Sequence, residues 1–92
     1  MIIFVWETPD MQNINQYNSE GDKSGYWQEY WCNGNLWFKG HYINGKENGL
    51  CEFYYDNGQL ATRRNFVNGK ERGLCLFYNK DGQLINKELY IN

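Results

Sequence analysis

His41 is the only histidine in the chain, so imidazole chemistry would have to start there. A metal site needs a second imidazole or closely spaced thiolates, and a nucleophilic triad needs Ser or Cys held against the ring. Neither pattern is present. The three cysteines, Cys32, Cys51 and Cys75, show no metal-ligand spacing, and the carboxylates are scattered singly over the chain. Acid–base catalysis therefore has no candidate site. No cofactor or metal is expected, His41 reads as structural, and the chain reads as non-enzymatic.

Two other sets recur in a way that suits binding. Lys39, Arg63 and Lys87 lie 24 residues apart. At one position of successive units they would form a column with steps of about 9.6 Å, two strand spacings. Such a column could take an anionic headgroup or a phosphate backbone. Weighed against it are Glu29, Glu52 and Glu88 nearby and a net charge of −2, which make a solvated, balanced face the stronger reading. A chain without a basic field is a poor match for nucleic acid and is not drawn to anionic membrane. Lys46 and Lys70 repeat in the same way in turns. The second set is aromatic: Trp27, Trp31, Trp37, Phe53, Tyr55 and Phe77, of the kind that anchors protein interfaces.

The elements that must position these residues follow from an internal period. Gly25, Gly49 and Gly73 are 24 apart, and the same step aligns Tyr30, Tyr54 and Tyr78, then Gly34, Gly58 and Gly82, then Leu36, Leu60 and Leu84. Tyr42, Phe66 and Tyr90 follow, then Asn44, Asn68 and Asn92. The chain holds four Trp, eight Tyr and five Phe beside thirteen Asn and one Pro. Aromatics favour half-buried pleated surfaces, and Asn and Gly supply tight turns. Each unit reads as two strands, 49–55 and 59–67 in the second copy, with Asn-Gly at the turns. The expected fold is all-β: a single-layer, twisted or rolled antiparallel meander of six to eight strands without substantial helix. Three hairpin repeats span 25–48, 49–72 and 73–92. Residues 1–24 read as a degenerate repeat or cap, with 2–7 and 12–18 as two further strands.

The unit Gly-x-(Trp/Cys)-x-x-Tyr-x-x-(Asn/Asp)-Gly-x-Leu, followed by an aromatic and Asn-Gly-Lys-x-x-Gly, resembles the variant MORN repeat. It covers residues 25–92 well and 12–24 faintly. Some bacterial proteins of that kind carry a YwqK-type antitoxin-component label. The resemblance implies a rolled sheet that serves as a scaffold for protein or lipid contacts, with no catalytic residue set. One departure is that Cys51 and Cys75 stand where the first unit has Trp27, so a continuous tryptophan ladder is not expected.

Side chains alternate between the two faces of a strand. With a three-residue bulged turn at Asp56-Asn57-Gly58, Tyr54, Leu60 and Phe66 share one face with their equivalents, and that face is expected to be the core. A two-residue turn would shift the register by one. The opposite face then carries Trp27, Trp31, Trp37, Phe53, Tyr55 and Phe77. An apolar surface of this kind marks an interaction site, unless the sheet rolls far enough for its edges and N-terminal segment to cover the rings.

Cys51 and Cys75 should lie about 10 Å apart, beyond disulfide reach, as packed thiols. Cys32 falls at a turn. The apolar run at the start ends at Trp6 and lacks a basic flank, so no signal peptide is expected and the cytoplasm is the expected location. Residues 1–30 hold five acids and one base, and 31–92 hold six acids and eight bases. The acidic end reads better as a solubility cap than as a nucleic-acid mimic or a site for a basic toxin. The functional expectation is a protein–protein interaction module, in antitoxin-like or small-inhibitor form. Its partner is a protein or a second copy in a homodimer. The alternative is a peripheral anionic-lipid-binding or structural scaffold.

Overall fold

The computed structural model describes residues 13–91. The described chain is an all-β antiparallel open sheet of nine strands, with no α-helix among those residues. Six long strands carry it. They are β2 (Lys23–Tyr30), β3 (Leu36–Ile43), β5 (Gly49–Tyr54), β6 (Leu60–Val67), β8 (Gly73–Tyr78) and β9 (Leu84–Tyr90). Three two-residue strands complete it: β1 (Gln16–Tyr17), β4 (Lys46–Glu47) and β7 (Lys70–Glu71). The order across the sheet is β1-β2-β3-β5-β6-β8-β9, with β4 on β3 and β7 on β6. Of the expected N-terminal strands, 12–18 is reduced to β1, and 2–7 lies outside the described residues.

Both kinds of turn follow from local chemistry. At Asn44-Gly45 and Asn68-Gly69 both residues have positive φ (52° and 83°, 57° and 85°). That is the two-residue hairpin geometry that asparagine and glycine tolerate. At the other turn, the Gly58 N–H donates to the Tyr55 carbonyl (3.0 Å), the Tyr55 N–H donates to the Gln59 carbonyl (2.8 Å), and Gly58 has φ 91°. This is the three-residue bulged turn expected from sequence. It recurs at Trp31–Asn35 and Asn79–Gln83.

The face assignment is corrected by a second bulge. Tyr54 pairs with Leu60, but Phe53 pairs with Thr62, which leaves Ala61 as an extra residue. The same shift leaves Trp37 between Leu36 and Phe38, and Ile85 between Leu84 and Asn86. One extra residue inverts the parity of the rest of the strand. Phe66 is therefore on the face opposite Tyr54 and Leu60. The packed face holds Trp27, Phe38, Cys51, Phe66 and Cys75, all buried, with Trp37, Tyr42 and Phe53 against them. Tyr30 and Leu84, expected in the core, are about half exposed.

Bulges also increase twist and bend the strand that carries them. The extents of 40 × 34 × 33 Å are nearly equal, whereas a flat single layer would be only about 10 Å thick. The sheet is rolled, and rolling is what lets one layer bury rings on its inner side. Gly40 has a packing role here: a Cβ at that position would lie 2.5 Å from the Cys51 sulfur.

Candidate binding faces

The aromatic residues expected to share an exposed face are divided by the structure. Trp27 is core: only 6% exposed, its Nε1 donates to the Gln16 carbonyl (3.0 Å), and Tyr17 and Tyr42 meet its ring edge-on. Its burial overturns the expectation that it presents a ring to solvent, and the inverted parity is the reason. Trp31, Trp37 and Phe53 form one cluster with Phe38, with ring centroids 5.1–6.1 Å apart. In that cluster Trp31 is the exposed member at 39%. Phe77 is half-buried beneath the Arg64 guanidinium, 5.0 Å from its ring, and Arg64 pairs with Glu71 at 2.6 Å.

Trp31 and Tyr55 have a structural task that their spacing concealed. The Trp31 Nε1 donates to the Tyr54 carbonyl (3.0 Å), and the Tyr55 hydroxyl donates to the Tyr78 carbonyl (2.7 Å). Asn33 and Asn57 donate likewise to the carbonyls of Asp56 (2.8 Å) and Lys80 (3.0 Å). Each bond reaches 23 residues ahead, so turn n is tied to turn n + 1. The period made this ladder visible, but a recurring aromatic reads equally well as an anchor for a partner.

The basic column exists on the open face. Gln28, Lys39, Glu52, Arg63, Leu76 and Lys87 follow one another across neighbouring strands. Two of its cations share one carboxylate: Glu52 sits 2.7 Å from Arg63 Nη2 and 3.5 Å from Lys39 Nζ. Tyr54 also donates to this carboxylate (2.9 Å). Burial alone would raise the Glu52 pKa. Hydrogen bonds from Arg63 and Tyr54 and the charge of Lys39 outweigh burial and hold it below the usual carboxylate range. Lys87 meets only Leu76 in this row, because Leu76 stands where the middle unit has Glu52. Beside the Glu52 cluster a shallow groove of about 350 Å³ is lined by Tyr26, His41, Leu50 and Gly40. His41 packs against Tyr26, 5.2 Å between rings.

The open face also carries exposed aliphatic side chains that the aromatic pattern does not point to. Ile43, Leu50, Val67, Leu74 and Leu89 lie on the open face toward the Asn-Gly turns, each between 46% and 64% exposed. The signal was available in the 24-residue recurrence of Ile43 with Val67 and Leu50 with Leu74. Their side was not, since it depends on the bulge. Cys51 and Cys75 are fully buried and Cys32 is exposed, all three as free thiols. Burial pushes the Cys51 thiol up to about 11, so it stays protonated and unreactive.

Comparison with known families finds the MORN repeat variant three times, at residues 23–44, 47–68 and 71–92. These matches cover most of the chain and agree with the three hairpins. Neither the curated proteins nor the solved structures yield a match.

Proposed function

The chain belongs to the MORN repeat variant family, and on that premise we propose that it is a non-catalytic module that docks on another protein through the open face of its sheet. Repeats of this family are in general non-enzymatic and bind proteins or lipids. One observation carries the choice of protein. Five large aliphatic side chains on one face are about half exposed, and apolar surface gathered on one face marks an interaction site. The Lys39 and Arg63 charges, which a lipid surface would need, are already engaged by Glu52. Inhibition of a target, in an antitoxin-like manner, is one form such docking takes. The cytoplasm, where Cys32 stays reduced, is the compartment we assign to it.

Photo-crosslinking residues placed at Leu50 and Leu74 test the reading in cells that produce the protein. Discrete protein adducts from both positions, reduced at least tenfold by Leu50→Asp in a copy carrying the probe at Leu74, are expected. An adduct of twice the chain mass identifies a second copy as the protein bound. Adducts confined to probes at Trp31 or Phe77 would move the site to the ring cluster. Co-sedimentation with phosphatidylserine vesicles, without protein adducts, would overturn the reading in favour of lipid.

A further inference from the structure

The two lateral edges of the sheet are finished differently. At the N-terminal edge, Gln28 occupies the position by which Glu52 and Leu76 pair with the hairpin before them. Here the Asn15 side chain takes the place of a strand: its Nδ2 donates to the Gln28 carbonyl (3.0 Å) and its Oδ1 accepts from the Gln28 N–H (2.8 Å). The Asn15 N–H adds a bond to the Tyr26 carbonyl (2.9 Å). Asn15 itself has φ 57°, a conformation asparagine tolerates better than most residues. Beyond the two residues that β1 pairs, the outward backbone groups of Gln28 are thus satisfied by a side-chain amide.

No comparable cap covers β9 among the described residues. By the repeat, Asn86 and Lys87 stand where Phe38 and Lys39, and Thr62 and Arg63, pair with the next hairpin. An edge strand of seven residues carrying exposed Leu84, Ile85 and Leu89 is a template for strand addition. The turn beside it does not suit another copy of the same hairpin. Where Trp31 and Tyr55 reach forward, the Asn79 amide folds back to Gln83 (3.0 Å), and its Oδ1 accepts from Asp81 and Gln83. Where Asn33 and Asn57 donate forward, Asp81 presents a carboxylate, which has no hydrogen to give to a carbonyl. Neither side chain donates forward here, so the edge suits a lone extended strand better than a stacked repeat.

Charge says what that strand carries. In the row across the open face Glu52 lies between Lys39 and Arg63, while Lys87 pairs with no carboxylate among the described residues. We propose that β9 accepts an extended acidic segment of a partner protein as an added antiparallel strand, with a carboxylate opposite Lys87 and an apolar residue two positions away opposite Leu89. This goes beyond docking on the sheet face, because the main-chain groups of the edge supply the bonds and the face aliphatics at Leu50 and Leu74 are not involved.

The test uses two synthetic peptides that differ at one position, acetyl-Thr-Val-Thr-Glu-Thr-Val-Thr-amide and its Lys counterpart, titrated into the whole ¹⁵N-labelled protein. Shift changes confined to residues 84–90, with the Glu peptide at least tenfold tighter, are expected. Lys87→Glu should reverse that preference while leaving the circular dichroism unchanged, and Leu50→Asp should not alter it. Equal affinity for the two peptides, no binding of either, or shifts located away from β9 would each overturn the proposal. So would a concentration-dependent dimer that Lys87→Pro abolishes, since the edge would then belong to a second copy.

Discussion

The first two units and the third have the same backbone but differ in what their returning strands bury. In each, a three-residue turn with glycine at positive φ is followed by a bulge one residue into the returning strand. Yet the position of Phe38 in the first unit is Thr62 in the second and Asn86 in the third, and that of Gly40 becomes Arg64 and then Glu88. The buried core consequently centres on Trp27, Phe38, Cys51 and Phe66. In β9, by contrast, six of seven residues are exposed. Hydrogen-bond geometry and burial are thus specified separately. Gly and Asn repeat the first faithfully, while variable positions distribute the second.

Removing the central ring should show the greatest difference between these regions. Phe38 is 1% exposed and touches the rings of Trp37, Tyr42 and Phe53. Phe38→Ala should cost about 3–5 kcal/mol, whereas Leu89→Ala in the exposed strand should stay within about 0.5 kcal/mol. Urea denaturation measures both. Similar losses for the two would mean that β9 shares the core after all.

Turn strain should be nearly independent of region, which separates it from burial. Gly58 and Gly82 have φ 91° and 89°, and a β-branched residue there costs about 1–2 kcal/mol. Gly58→Val should lower the melting temperature by several degrees, at about 4–8 °C per kcal/mol for a domain of this size. Gly82→Val should instead loosen chiefly β8 and β9, seen as faster amide exchange there. Parental stability in Gly58→Val would refute the bulged-turn geometry.

The smallest expected effect tests the charge row that the middle unit has and the third lacks. Glu52→Gln keeps the shape but removes the charge and replaces one acceptor oxygen with an amide donor, costing about 1 kcal/mol at neutral pH, the difference between charged and neutral hydrogen bonds. The folded pKa of Glu52 lies below its unfolded value. Its contribution is therefore complete above the ordinary carboxylate range, near 4.3, and is lost as pH falls through the folded value. The stability gap between parent and variant should close on acidification below about pH 4. A gap constant down to pH 2 would show that the exchanged acceptor, rather than the charge, is what the variant loses.

The sequence by itself determined the period, the hairpins, both turn types and the strand order. All of these rest on residues acting within a few positions of themselves: Asn44-Gly45 and Gly58 adopt positive φ wherever they occur in such a pattern. It also placed Lys39, Arg63 and Lys87 in one column. Which face is core was decided only in three dimensions. The bulge falls at Trp37, Ala61 and Ile85, which are apolar but aromatic, small and β-branched in turn, and such a run after Leu suits a regular strand equally well. The bulge arises where the twist of each returning strand has to fit the roll of the whole sheet. One extra residue per hairpin then sends Phe66 inward and leaves Leu60 behind, buries Trp27, and turns Leu50 and Leu74 out to water.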